Sequence, residues 1–162
     1  MLTKTFIIGK LGKPHGLEGY AYVHLNDYLK KYNFKDIDVQ MNNKSFSIEE
    51  IKSHLKNRHL IKFYKINTIE DIEKKRDTYI HASFNTLIKM NQYLPWPELL
   101  FGERIKNNEN LEIFVSNYTV YNSNTVLEVV STSSKSYMIP YVSQNFSFDG
   151  KYLYLKENLT IY

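Results

Sequence analysis

The stretch Ile7-Ile8-Gly9-Lys10-Leu11-Gly12-Lys13-Pro14-His15-Gly16-Leu17-Glu18-Gly19-Tyr20-Ala21-Tyr22-Val23-His24-Leu25 decides how the chain is read. Two apolar runs flank glycines, a proline and a histidine, the pattern of a strand, a tight irregular loop and a second strand. After Gly19 the alternation is strict. Tyr20, Tyr22 and His24 point one way while Ala21, Val23 and Leu25 point the other, as a half-buried strand requires. Pro14 fixes its own φ and restricts Lys13, while Gly12, Gly16 and Gly19 can take the positive φ of a sharp reversal. The expected loop holds out Lys10, Lys13 and His15, either as solvated turn residues or as contacts to a partner. A phosphate-binding P-loop is excluded, because the glycine spacing differs and no Gly-Lys-Ser/Thr leads into a helix.

Outward from this stretch the strand signals continue. Asp36 to Met41 alternates, Asn42-Asn43-Lys44 turns, and Ser45-Phe46-Ser47-Ile48 alternates again, as in a hairpin. Lys52-Ser53-His54-Leu55-Lys56 and His59-Leu60-Ile61-Lys62-Phe63-Tyr64 read as two strands around an Asn57-Arg58 turn. Basic residues interleaved with Tyr64 there suit either a nucleic acid backbone or an ordinary exposed strand face. Thr68 offers an N-cap, with acids in the first turn and bases after it, which predicts one short helix over 69–76. Tyr79-Ile80-His81-Ala82 closes the set, and six strands with one helix point to a small closed barrel.

Residues 85–101 break the rhythm. Tyr93-Leu94-Pro95-Trp96-Pro97 carries two prolines around the one tryptophan, which excludes regular structure there and marks a linker. Its apolar side chains pack on a domain or anchor a protein interface. Beyond it, Leu111–Val115, Tyr118–Tyr121, Thr125–Val130, Ser136–Ile139 and Tyr152–Leu155 are short β-like runs, so a second all-β domain is expected. The domains expected are 1–84 and 102–162, joined by the linker 85–101.

The 162 residues are 43% hydrophobic and 15% aromatic, which is globular composition. No apolar run reaches the roughly 20 residues of a membrane helix, and no signal-peptide pattern opens the chain, so a soluble, cytosolic protein is expected. Zero cysteines exclude disulfides, cysteine nucleophiles and thiolate metal sites. The net charge of +4 is uneven: up to Gln92, 16 basic residues face 10 acidic ones, and beyond it 5 face 7. That bias suits a phosphate-rich partner met by the N-terminal half. The five histidines, His15, His24, His54, His59 and His81, lack metal-site spacing, and no serine sits in a nucleophile elbow, so an enzyme is not expected and neither is a cofactor.

The order Gly9, then Pro14-His15-Gly16-Leu17, then Gly19 opening a strand that ends near Asn26-Asp27, resembles the N-terminus of the RimM family of ribosome maturation factors. Further stretches agree: His59-Leu60-Ile61-Lys62-Phe63 ahead of the capped helix, Met138-Ile139-Pro140-Tyr141-Val142, and Glu157-Asn158-Leu159 near the end. The resemblance implies an all-β chain of two small barrels, a six-stranded one and one of the PRC type, joined by a linker with a Leu-Pro. It also implies a non-enzymatic assembly factor that binds the head of the immature small ribosomal subunit, through ribosomal protein S nineteen and nearby small-subunit rRNA; nothing in the sequence requires more than a monomer. Contacts to the ribosomal protein would fall on Trp96, Glu98, Leu99, Leu100 and Phe101. Contacts to rRNA or ribosome would fall on Lys10, Lys13, His15, Gly16, Lys52, Lys56, Arg58 and Lys62. Leu99 and Leu100 stand where the family usually carries two tyrosines, and Glu103-Arg104-Ile105-Lys106 stands in place of Asp-Leu-Ile-Gly, so any phenolic hydrogen bond there is lost or replaced. The reading from a different class is a generic single-stranded nucleic acid binder that uses residues 52–64 as its groove.

Overall fold

The computed structural model describes residues 4–90 and 94–156. The chain divides into two compact units, Met1–Met90 and Asn91–Tyr162.

The first unit runs β1 (Thr5–His15), β2 (Tyr20–Leu25), a 3-10 turn (Asp27–Lys31), β3 (Asp38–Met41), β4 (Lys44–His54), β5 (Arg58–Phe63), α1 (Ile69–Glu73), β6 (Tyr79–Ser83) and α2 (Phe84–Met90). The six strands close into an antiparallel barrel in the order β1-β2-β5-β4-β3-β6, so none of them is left as a free edge. The alternation in β2 has its expected effect: Ala21, Val23 and Leu25 are buried in the barrel, and the intervening residues face outward. Asn42-Asn43 and Lys56-Asn57 both take positive φ at two consecutive residues, the conformation of tight hairpin turns.

The opening stretch departs from the strand–loop–strand reading. β1 continues through Gly9, Gly12 and Pro14 to His15, and only residues 16–19 turn. Bulges between Ile7 and Gly9 against β6, and between Leu11 and Pro14 against β2, bend this long strand around the barrel, and Pro14 sits at one of them. Gly9 serves close packing rather than reversal: a Cβ there would lie 2.7 Å from the His24 carbonyl oxygen. The run over 45–48 and the start of that over 52–56 are likewise one strand, β4, bulged between Ile48 and Glu50, while Leu55 to Asn57 make the turn and Arg58 already belongs to β5. A bulge interrupts alternation without ending a strand, which is why sequence pattern splits such strands.

Thr68 caps α1 as expected, its hydroxyl accepting from the Asp71 N–H at 3.2 Å, with Ile72 fully buried beneath. The helix stops at Glu73, and Lys74 to Asp77 form turns. A second helix, α2, occupies the start of the segment expected to be an irregular linker. Ser83 caps it through Oγ, which accepts from the Thr86 N–H at 3.1 Å, and Leu87 is buried.

The second unit opens with a 3-10 turn (Pro97–Leu100), followed by β7 (Arg104–Ile105), β8 (Ile113–Tyr121), β9 (Asn124–Ser131), β10 (Ser136–Pro140), β11 (Phe146–Phe148) and β12 (Leu153–Leu155). A four-stranded antiparallel sheet of order β10-β9-β8-β7 curls as a half-barrel, and the β11-β12 hairpin joins it through a parallel bridge between Lys106 and Tyr154. The two β-runs expected over 111–115 and 118–121 are the single bulged strand β8, and Pro140 ends edge strand β10. Trp96, Ile105, Val115, Leu127, Val129 and Phe146 form the core, with the Trp96 Nε1 donating to the Tyr118 hydroxyl at 2.9 Å and the Tyr141 hydroxyl donating to the Pro95 carbonyl at 2.8 Å. Tyr93 and the Glu157-Asn158-Leu159 motif lie outside the described residues.

Candidate nucleic-acid interface

The outward residues of β2 sit between β1 on one side and the β5-β4 hairpin on the other. Strands far apart in sequence therefore deliver their side chains to the same face. Around Tyr22 they form an aromatic and cationic cluster. The Tyr22 hydroxyl is 3.1 Å from His15 Nδ1, and the His15 ring lies 4.6 Å, centroid to centroid, from that of His54 at the end of β4. The Lys13 ammonium and the Arg58 guanidinium approach the Tyr22 ring from opposite neighbouring strands, at 5.8 and 5.5 Å from its centre. The tyrosine thus spaces two cations in favourable cation–π contacts.

Beside this cluster is a groove of about 380 Å³ lined by Lys10, Gly12, Lys13, Tyr22, His24, Arg58, His59 and Asp77, among others. Three of the cations expected to touch rRNA, Lys10, Lys13 and Arg58, therefore share one concavity. Lys10 also lies 5.3 Å over the Tyr79 ring. Among the described residues none of these three cations makes an ion pair, so their charge is directed to solvent or to a ligand. Burial, and then the charge of Lys30, hold the His59 imidazole below its ordinary pKa. A second groove, lined by Lys30, His54, Lys56 and His59, runs along the hairpin tip and places Lys56 at its exposed turn.

The other expected residues are placed differently. Gly16 sits at the β1-β2 turn with φ +70° and open space around it. Lys52 lies 4.3 Å over the Tyr20 ring and pairs with Glu50 at 3.8 Å; the Tyr20 hydroxyl donates to that same carboxylate, which pushes its pKa up to about 12. Lys62 is 9% exposed, and its ammonium is held internally. It donates to the Ile66 carbonyl and to Asn67 Oδ1, both at 2.9 Å, and pairs with Glu49 at 3.5 Å. In the second unit, Trp96, Leu99 and Leu100 are buried, against the expectation of exposed leucine anchors, because the Pro97–Leu100 turn packs on β8. Phe101 is 38% exposed with its ring 5.9 Å from that of Tyr118, and burial pushes the Glu98 carboxyl up.

Tyr20, Tyr22 and His24 were not named as contacts, whereas His54 and His59 fall within the stretch 52–64 expected as the groove of the alternative reading. Alternation identifies the first three as outward-facing but does not say what they meet. The histidines, scattered in sequence, are not scattered in space: four of the five line the two grooves or the cluster beside them. Among the described residues, no group of three or more histidines and carboxylates is placed to hold a metal ion.

The model of the RimM N-terminal domain family matches residues 6–87, just over half of the chain. Among solved structures, the chain is similar to a protein of Pseudomonas aeruginosa described as a 16S ribosomal RNA processing protein RimM, at 15% identity and a TM-score of 0.43, over 96% of this chain and 98% of that one. It is also similar to the N-terminal domain of RimM from Thermus thermophilus, at 14% identity and a TM-score of 0.44, over 52% of this chain and 94% of that one. No curated protein matches the chain. The family match runs from β1 into α2 and so takes in every strand of the closed barrel; the chain belongs to the RimM family.

Proposed function

We propose that this protein is a ribosome maturation factor that acts without catalysis, as a monomer, on the head of the immature small subunit. The N-terminal barrel meets small-subunit rRNA through the groove of Lys10, Lys13 and Arg58. The second unit meets ribosomal protein S nineteen around Glu98 and Phe101, with the buried Trp96, Leu99 and Leu100 fixing the turn that presents them. The observation that carries the reading is the convergence, in an open groove of the barrel matched to the family, of three cations that make no ion pair among the described residues. Such a set attracts phosphates irrespective of base sequence. Membership of the RimM family supplies the ribosomal context. No helix of the described residues is long and apolar enough to cross a membrane.

The test is co-sedimentation of the purified protein with immature and mature small subunits, large subunits and naked rRNA at physiological salt. Retention mainly on immature small subunits is expected. Equal retention on every particle and on naked RNA refutes the assembly reading and leaves a generic single-stranded nucleic acid binder.

A further inference from the structure

The Tyr22 cluster contains something that phosphate attraction alone does not need: two histidine rings in contact. His15 ends β1 and His54 ends β4, yet their centroids are 4.6 Å apart and inclined at 59°. His15 is held by its hydrogen bond to Tyr22, and both rings contact that tyrosine, at 5.3 and 5.9 Å. Most of the charged groups placed around the pair are positive, with Glu18 in the β1-β2 turn that follows His15 the nearest acid in sequence. Lys13 of β1 and Arg58 of β5 flank Tyr22, and Lys30 and Lys56 share the hairpin groove with His54. On the far side, Lys10, His24 and His59 line the adjoining groove, where Asp77 is the one carboxylate. Glu50, further along β4, is occupied by Tyr20 and Lys52.

In this setting a positive charge on either ring faces its neighbour ring and the surrounding cations, with no carboxylate partner in contact with the pair among the described residues. A phosphate laid across it reverses the sign, since each added positive charge then gains an anionic partner. In the adjoining groove, burial first and then the charge of Lys30 lower the pKa of His59.

We propose that the His15–His54 pair couples nucleic-acid binding at this groove to proton uptake, so that the barrel grips RNA phosphates more tightly as the pH falls. The inference rests on the reading of the groove as an RNA interface. Imidazoles titrate in the physiological range, so the coupling operates where the cell varies. By linkage, each proton taken up on binding steepens the affinity by up to about tenfold per pH unit.

The experiment measures affinity of the full chain for a labelled transcript of the small-subunit rRNA head domain, at constant ionic strength, between about pH 8 and pH 6. Wild-type protein is compared with His15→Gln, His54→Gln and the control His81→Gln, whose residue lies on β6. Expected is a rise in affinity of about threefold or more per pH unit for wild type and His81→Gln, and a flattened profile for the two cluster variants. Because a cluster variant can misfold, calorimetry of the wild-type protein in buffers of different ionisation enthalpy counts the protons directly, and uptake on binding is expected. A wild-type profile shared by both cluster variants, or binding without proton uptake, overturns the inference and leaves the RNA reading standing. Absence of binding at every pH overturns the RNA reading and this inference with it.

Discussion

Replacing Lys62 by Met tests whether this lysine belongs to the wall of the barrel or to its interface. On β5 it is flanked in sequence by the fully buried Ile61 and Phe63, and its ammonium makes two hydrogen bonds at 2.9 Å into the β5-α1 connection. The Ile66 carbonyl it reaches is also the group against which Gly19 packs, a Cβ there falling 2.3 Å from that oxygen. Methionine preserves the apolar stem but leaves this carbonyl without the donor that satisfied it. A hydrogen bond from a charged donor contributes about 1.5–3 kcal/mol, and an orphaned buried acceptor costs a similar amount. Glu49 is 41% exposed, so its ion pair adds no more than about 1 kcal/mol. Removing a desolvated ammonium offsets part of the loss. The balance is a destabilisation of about 2–3 kcal/mol, which at a urea slope of about 2 kcal/mol/M lowers the midpoint by about 1–1.5 M. Far-UV circular dichroism during urea unfolding measures it, with Trp96 fluorescence reporting the second unit in the same sample. The salt dependence of RNA binding should stay unchanged, whereas Arg58→Ala should lower its slope by about 0.7–0.9. An unshifted midpoint together with a lowered salt slope would refute the argument and make Lys62 an RNA contact.

Gly19→Ala should cost about 2–4 kcal/mol in the same unfolding assay, because φ is +88° and the new methyl meets the Ile66 carbonyl; Gly16→Ala, at φ +70° in open space, should cost only about 1 kcal/mol. Leu99→Ala with Leu100→Ala should destabilise the second unit by about 4 kcal/mol or more, seen as an earlier red shift of Trp96 emission, and a transition at the wild-type midpoint would show these side chains to be exposed. The depressed pKa of His59 predicts acid sensitivity: the unfolded chain accepts a proton that the folded one resists, so stability is lost as pH falls below the ordinary histidine value of about 6.5 and is unaffected above it. Urea midpoints of His59→Gln should lack that part of the acid slope.

The all-β class and the barrel were legible because burial writes itself into alternation. Ala21, Val23 and Leu25 could face only one way, and Thr68 could only begin a helix. Strand limits were less legible wherever a bulge or a close backbone approach shifted the pattern. Gly9 and Gly12 look like turn residues in sequence, but a glycine that admits a neighbouring carbonyl and one that reverses the chain are the same letter. α2 was hidden for a related reason. Its seven residues show little periodicity, and the prolines that follow set the expectation for the whole segment.

The candidate interface was legible in part, and what the sequence left out is a matter of pairing. Excess positive charge up to Gln92 pointed to the first unit as the candidate but could not rank its cations. The fold ranks them by giving some a partner: Lys30 meets Asp27, Lys52 meets Glu50, Lys62 meets Glu49, Lys74 meets Asp71 and Arg76 meets Glu73. Only Asp27, Asp71 and Glu73 lie at helical spacing from their lysine or arginine; the Glu49 pair is made across strands. Lys10, Lys13 and Arg58 make no ion pair among the described residues, and strand order carries all three to one groove. A candidate phosphate-binding surface is thus defined less by how many cations a chain carries than by which unpaired ones the strand order gathers into one groove. Those are the groups whose counterions a nucleic acid can release.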